Sequence, residues 1–206
     1  MRSLLMIITL MISIGNIKGQ QNKTMKTNNI EIAIFANGCF WCTEAVFLQL
    51  DGVSKVESGY IGGEIPNPSY NEICTGTTGH AEAIKITFDA DKISFISLLD
   101  VFFATHDPTT LNRQGNDAGT QYRSAVFYQN EKQRALTVKM IEALENAGVF
   151  EHAIVTEIAK DDTFYPAENY HQNYYNNNKT QGYCMAIINP KLEKFRKHFK
   201  ELLKED

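Results

Sequence analysis

Residues 30–47, IEIAIFANGCFWCTEAVF, change their hydrophobic period in mid-stretch. "IEIAIFA" (30–36) is a nearly continuous apolar run, the pattern of a buried strand. "FWCTEAVFLQL" (40–50) instead spaces Val46, Phe47 and Leu50 along one side of a helix. Gly38 falls between them and predicts a tight strand-to-helix turn. Two thiols, Cys39 and Cys42, flank two large rings at the point where the period changes.

The same alternation continues outward. "VSKVESGY" reads as a strand, followed by a long Gly, Pro and Asn loop through "IGGEIPNPSYNEICTGTTG". "HAEAIKITF" (80–88) alternates as a strand, and "DKISFISLLDVFFATHD" is a helix with Asp91 as its expected cap. "NRQGNDAGTQ" is a second polar loop and "YRSAVFYQ" a strand. "EKQRALTVKMIEALENAG" is a helix between an Asn130 cap and a Gly148 stop, and "AIVTEIA" a last strand. The order predicts an α+β fold, a two-layer α/β sandwich around a ferredoxin-like unit with a mixed sheet.

At 206 residues and 43% hydrophobic, the chain has enough apolar material for one domain, taken as residues 30–206. "MRSLLMIITLMISIGNIKG" (1–19) has a basic second residue, an apolar stretch from Leu4 to Ile14 and small or polar residues after it. That is the layout of a secretory signal, and the stretch is shorter than the roughly 20 residues a membrane helix needs. The expectation is export, to a periplasmic or extracellular location, with a polar leader over 20–29 and no stable membrane association after cleavage. Removing Arg2 and Lys18 leaves an acidic remainder with no basic stripe, which excludes nucleic acid as a partner. "KLEKFRKHFK" is expected to be a solvated helix face.

Cys39, at the junction of strand and helix, is placed where unpaired helix N–H groups favour a thiolate. Access and a depressed pKa are what a nucleophilic cysteine needs. Cys42 has the spacing of a redox pair, but the same Cys-x-x-Cys suits a metal knuckle or an apolar filler at the helix–sheet contact. Phe40 and Trp41 fit a pocket that holds something apolar beside the sulfur better than a closed zinc site. Glu82, if its strand alternates, shares a face with Ile84, Ile86 and Phe88; there a desolvated carboxyl would stay protonated and act as a proton donor. The other reading of Glu82 is a strand-end carboxylate turned to solvent. His80 reads as loop scaffolding, and Tyr70 and Tyr122 as phenols able to point into a cleft or simply to pack. Cys74 is expected to be a buried structural thiol.

Five blocks, "GCFWCTEAVF", "SGYIGG", "PNPSYNEICTGTTGHAEAI", "HDPTTLNRQGNDAGTQYRSAVF" and "FYPAENYHQNYYNNN…GYC", together resemble the A-type peptide methionine sulfoxide reductases, in order from about Ile30 to Met185. The resemblance implies Cys39 as the nucleophile, Phe40 and Trp41 as the rings cupping the substrate S-methyl, and Glu82 as the acid. It further implies Tyr70 and Tyr122 as phenols near the sulfoxide oxygen and Asp117 as a supporting residue at the substrate site. The implied reaction is reduction of methionine S-sulfoxide, free or in proteins, through a Cys39 sulfenic acid and an intramolecular disulfide. A thioredoxin-like dithiol would reset it, with no metal or organic cofactor. "GYC" implies Cys184 as the resolving thiol, and the Asn-rich segment before it is expected to be a loop able to reach the site; Cys42 is the alternative. The chain departs from the family where Cys42 replaces a frequent glycine and where "MAIINPKLEKFRKHFKELLKED" replaces a glycine-rich tail. A thioredoxin-like disulfide oxidoreductase using Cys39 and Cys42, and a non-catalytic module binding oxidised proteins, are the rival readings.

Overall fold

The computed structural model describes residues 29–160 and 162–205; the signal expected at 1–19 and the leader, but for Asn29, lie outside them. The elements run β1 (Ile30–Asn37), α1 (Phe40–Phe47), β2 (Val53–Ile61), α2 (Tyr70–Cys74), β3 (Ala81–Asp89) and α3 (Phe95–Ala104). They continue with β4 (Arg113–Gln114), β5 (Asp117–Ala118), β6 (Ser124–Tyr128), α4 (Glu131–Asn146), β7 (Glu157–Lys160) and β8 (Tyr165–Pro166). α5 (Tyr174–Asn177), a π-helical turn (Cys184–Ile188) and α6 (Asn189–His198) close the chain.

Six strands form one sheet in the order β7-β6-β1-β3-β2-β8, with β4 and β5 a separate hairpin. β1, β2, β3 and β6 pair antiparallel in the ferredoxin-like order, and β7 joins β6 in parallel, so the sheet is mixed as expected. Alternation sorts the strand side chains between two faces. Phe35, Val56, Tyr60, Ile84, Ile86, Phe88 and Val126 face the helices and make the main core with Phe47, Leu98, Phe102, Leu192 and Phe195. Ile34, Ile61, Ala83, Ala125 and Phe127 form a smaller cluster on the opposite face.

Gly38 makes the turn that the sequence demands. Its φ is +96°, and a Cβ there would stand 2.6 Å from Cβ of Gln114, so both backbone conformation and space require glycine.

Four local expectations are corrected. α3 is capped by Ser94, whose hydroxyl accepts the Ser97 N–H at 3.0 Å, rather than by Asp91, which sits in the preceding turn. α1 ends at Phe47 because the chain turns to let Leu50 pair with Leu203. The last helix is not only a solvated face: Leu192 and Phe195, three positions apart, are buried against the core. Cys74 is exposed, not buried, because the single turn of α2 buries only Ile73 and the next residue faces out.

Candidate active site

β1, the Gly38 turn and α1 bring Cys39 to the N-cap of α1, half-buried, with Phe40 and Trp41 in the first turn. β3 lies beside β1 and carries Glu82 on the helix-facing side, opposite Tyr60 of β2. Glu82 is 2% exposed, so the solvent-turned reading falls away. Its Oε2 accepts the Phe40 backbone N–H at 3.1 Å, which satisfies one of the orphan donors of α1 and ties the carboxyl to the residue after Cys39. Burial pushes the Glu82 carboxyl up to about 8, against the opposing effect of the Phe40 N–H and with the nearby Asp117 adding to the rise. The group is therefore mostly protonated at neutral pH.

Tyr70 enters from the start of α2. Its position is set by the Ser69 capping box and by Glu168, whose Oε1 accepts the Tyr70 N–H at 2.8 Å. Tyr122 comes from a 3₁₀ turn at 120–122, and Asp117 from β5. Cys39, Phe40, Trp41, Tyr70, Glu82, Asp117, Tyr122 and Tyr183 line one cavity of about 140 Å³. His80, as expected, serves the scaffold: its Nδ1 accepts the Gly63 N–H at 3.1 Å, and its Nε2–H donates to the Ile65 carbonyl at 2.8 Å.

The thiols depart from expectation. Hydrogen bonding with Cys42, together with burial, raises the Cys39 thiol well above its ordinary value. Hydrogen bonding from Cys39 lowers Cys42 to about 7, against burial and with help from Lys191 and the Tyr183 hydroxyl. The helix start does not depress Cys39, because the hydrogen bond with Cys42 and burial, with the charges of Cys42 and Glu82 adding, hold the thiol up. The two thiols are therefore an interacting pair in which Cys42 is the easier to ionise.

Cys184 is not on a loop. It is 0% exposed in the π-helical turn leading into α6, in the same core as Cys42, and burial raises its thiol, with the Cys42 charge adding to the rise. The polar run before it reads as a loop, but Ile188 and Leu192 bury and draw the following turn onto the core.

Tyr183, Tyr174, His171 and Glu44 escaped the sequence reading. The Tyr183 hydroxyl donates to Asp117 Oδ2 at 3.1 Å, lies 3.7 Å from Cys42 Sγ, and sets its ring edge-on to Trp41. Tyr174 stacks on Trp41 with centroids 3.7 Å apart and planes within 7°. His171 Nδ1 accepts the Trp41 Nε1–H at 3.0 Å. Glu44, 2% exposed, accepts the N–H groups of Asn173 at 2.8 Å and Tyr174 at 3.3 Å, and burial pushes it up to about 7. The density of rings in "NYHQNYY" was the signal available for two of the four, His171 and Tyr174.

A buried acid, a pair of interacting thiols and an aromatic wall around one small cavity define a thiol-based redox enzyme of α+β architecture. Residues 31–203 match the family described as peptide methionine sulfoxide reductase. The peptide methionine sulfoxide reductase of Deinococcus radiodurans is 59% identical over 174 residues, covering 84% of each chain. Mxr1 from Saccharomyces cerevisiae in reduced form superposes with a TM-score of 0.69 at 33% identity, over 76% of this chain and 90% of that one. The same yeast protein in complex with Trx2 shares the fold, with a TM-score of 0.50 at 24% identity over 74% and 91% of the two chains. The chain belongs to the peptide methionine sulfoxide reductase family.

Proposed function

We propose that the chain reduces methionine S-sulfoxide, free and within proteins, to methionine, and so repairs oxidised proteins. The observation that carries this reading is one cavity that joins a nucleophilic thiol, a carboxyl protonated at neutral pH and an apolar aromatic wall. The methyl group is the apolar handle beside the reacting sulfur, and Phe40 and Trp41 supply its wall. Tyr70 and Tyr122 donate to the sulfoxide oxygen, where negative charge develops. Cys39 thiolate attacks the sulfoxide sulfur and Glu82 delivers its proton to the oxygen. This attack forms a bond between the Cys39 and substrate sulfurs; the protonated oxygen then passes from the substrate sulfur to the Cys39 sulfur as the old S–O bond and the new S–S bond both break, so methionine leaves and Cys39 remains as sulfenic acid.

Cys42 is the nearest thiol and the easier of the two to ionise. Its thiolate attacks the Cys39 sulfenic sulfur, the displaced hydroxide takes a proton and leaves as water, and a Cys39–Cys42 disulfide remains. Cys184 acts second: its thiolate attacks Cys42, frees Cys39 and forms a Cys42–Cys184 disulfide once its turn opens. A thioredoxin-like dithiol then reduces the chain, the kind of partner that Mxr1 has in its complex with Trx2. The apolar stretch at 4–14 supports export before the chain acts, and an intact Met1 on the isolated protein would refute cleavage.

The test is methionine formation from methionine sulfoxide of defined sulfur configuration with dithiothreitol as reductant. Turnover of the S epimer, abolished in Cys39→Ser, is expected. Absence of turnover with both free and peptide-bound substrate would overturn the reading.

A further inference from the structure

One buried titratable side chain has no task in that reaction. His171 is 1% exposed and hydrogen-bonds none of the reacting groups, though its ring packs with centroids 4.4 Å from that of Tyr70 and 5.0 Å from that of Phe40, and it is held in one orientation. Its Nδ1 accepts the Trp41 Nε1–H at 3.0 Å, so the neutral ring carries its own proton on Nε2. That Nε2–H is buried without a hydrogen-bond partner, because Glu168 Oε2 stands 3.9 Å away. Proteins seldom leave a buried donor unpaired. Here the ring is turned to serve the indole at the expense of its own second nitrogen.

The segment around His171 is pinned as a strap along its length. Glu168 accepts the Tyr70 N–H at 2.8 Å and the Tyr60 hydroxyl at 2.9 Å. The Gln172 side chain accepts the Ser58 N–H at 3.0 Å and donates to the Ser58 carbonyl at 2.9 Å, filling the edge of β2 where β8 stops. Asn173, at φ 51°, and Tyr174 both give their N–H groups to the Glu44 carboxylate. Two contacts of this strap converge on Trp41: His171 accepts the hydrogen bond that the indole N–H donates, and the Tyr174 ring stacks over one face. A rigid indole in a cavity of about 140 Å³ discriminates by size, since the pocket cannot widen unless the ring tilts.

We infer that His171 is a positioning residue that sets substrate selectivity: by fixing the Trp41 indole it fits the wall to an S-methyl sulfoxide and shuts out sulfoxides with longer S-alkyl groups. The inference rests on the reductase reading and adds to it a source of specificity. One methylene in an apolar pocket is worth about 10–200-fold in discrimination, and that is the range open to loss.

The experiment uses the S enantiomers of methyl and ethyl p-tolyl sulfoxide as paired probes, with dithiothreitol as reductant. His171→Phe keeps a ring of similar size but removes the acceptor; His171→Asn keeps an acceptor near the Nδ1 position. Trp41 is the chain's single tryptophan, so its emission maximum and anisotropy report on the wall without turnover. In His171→Phe the methyl-to-ethyl ratio of kcat/KM is expected to fall about tenfold, chiefly through KM for the methyl probe, with lower Trp41 anisotropy in a fully folded protein. His171→Asn should recover most of both. A folded His171→Phe with wild-type ratio and wild-type Trp41 emission would overturn the inference, as would equal damage in both variants with Trp41 unmoved. A wild-type chain that turns over neither free nor peptide-bound methionine S-sulfoxide overturns the reductase reading itself, and that failure is distinct because it is seen before any variant is made; turnover of methionine S-sulfoxide without turnover of the methyl probe overturns the inference alone.

Discussion

Replacing Glu82 by Gln should cost the enzyme its chemistry and at the same time make the fold more stable. The carboxyl is raised from 4.5 to about 8, so about 90% is protonated at pH 7 and about 10% at pH 9. Gln keeps the shape and an oxygen for the Phe40 N–H but has no proton to deliver, so single-turnover reduction should fall by about 10² to 10⁴. The linkage has a definite sign. A carboxyl whose folded pKa lies above its unfolded value binds more protons when folded, so its contribution is fully favourable below about pH 4.5 and is lost as pH rises through 8. At 1.36 kcal/mol per pH unit the loss amounts to about 3 kcal/mol by pH 7 and about 5 above pH 8. Glu82→Gln escapes it, so its gain over wild type should be about 3 kcal/mol larger at pH 8 than at pH 5, a difference from which any pH-independent weakening of the bond to Phe40 cancels. Urea unfolding at the two pH values measures the second quantity, and rapid-quench reduction of one equivalent of substrate the first. The same pKa sets the alkaline limb of a bell-shaped kcat/KM profile near 8, while ionisation of the thiol pair sets the acid limb near 7. Near wild-type single-turnover rate at pH 7, or an alkaline limb that survives in Glu82→Gln, would refute the assignment of the acid.

Three further outcomes follow from the same geometry. Cys42→Ser should keep single-turnover methionine formation but leave a Cys39 sulfenic acid that a dimedone probe traps, whereas Cys184→Ser should accumulate a Cys39–Cys42 disulfide found by digestion and mass spectrometry; a Cys39–Cys184 bridge formed in Cys42→Ser as fast as the wild-type disulfide would return the first resolving role to Cys184. Tyr183→Phe removes a hydroxyl whose single proton turns from Asp117 Oδ2 to the Cys42 sulfur once that thiol ionises, so the pH midpoint of iodoacetamide labelling of the thiol pair should move upward, and an unchanged midpoint would count against that contact. Gly38→Ala, forced to φ +96° with its Cβ against Gln114, should lose about 2–3 kcal/mol in urea unfolding, and a loss under 0.5 kcal/mol would show that the turn relaxes.

The parts of this site that were legible in the sequence are those fixed by local rules. The strand, Gly38 and the start of α1 are specified by period and backbone freedom within eighteen residues; the two-residue alternation of β3 offered Glu82 a buried face but left a solvent-turned strand end open, and the family resemblance chose between them. What was hidden depends on which distant segment comes to cover the first. Trp41 and its acceptor His171 are 130 residues apart, and so are Glu44 and the Tyr174 N–H that it holds, so no window along the chain contains either pair. Cys184 was misplaced for the same reason: "NNNKTQGYC" has the composition of a loop, and only the burial of Ile188, Leu192 and Phe195 against α1 and the sheet winds the following turn into the core. That burial has a consequence for the cycle. A thiol 0% exposed in a helical turn cannot meet a protein reductant until the turn opens, and Tyr183, one residue earlier, must then leave Asp117 and the edge of Trp41. Opening the turn for recycling therefore also dismantles one wall of the substrate cavity, so substrate binding and reduction by the partner compete for the same segment of chain.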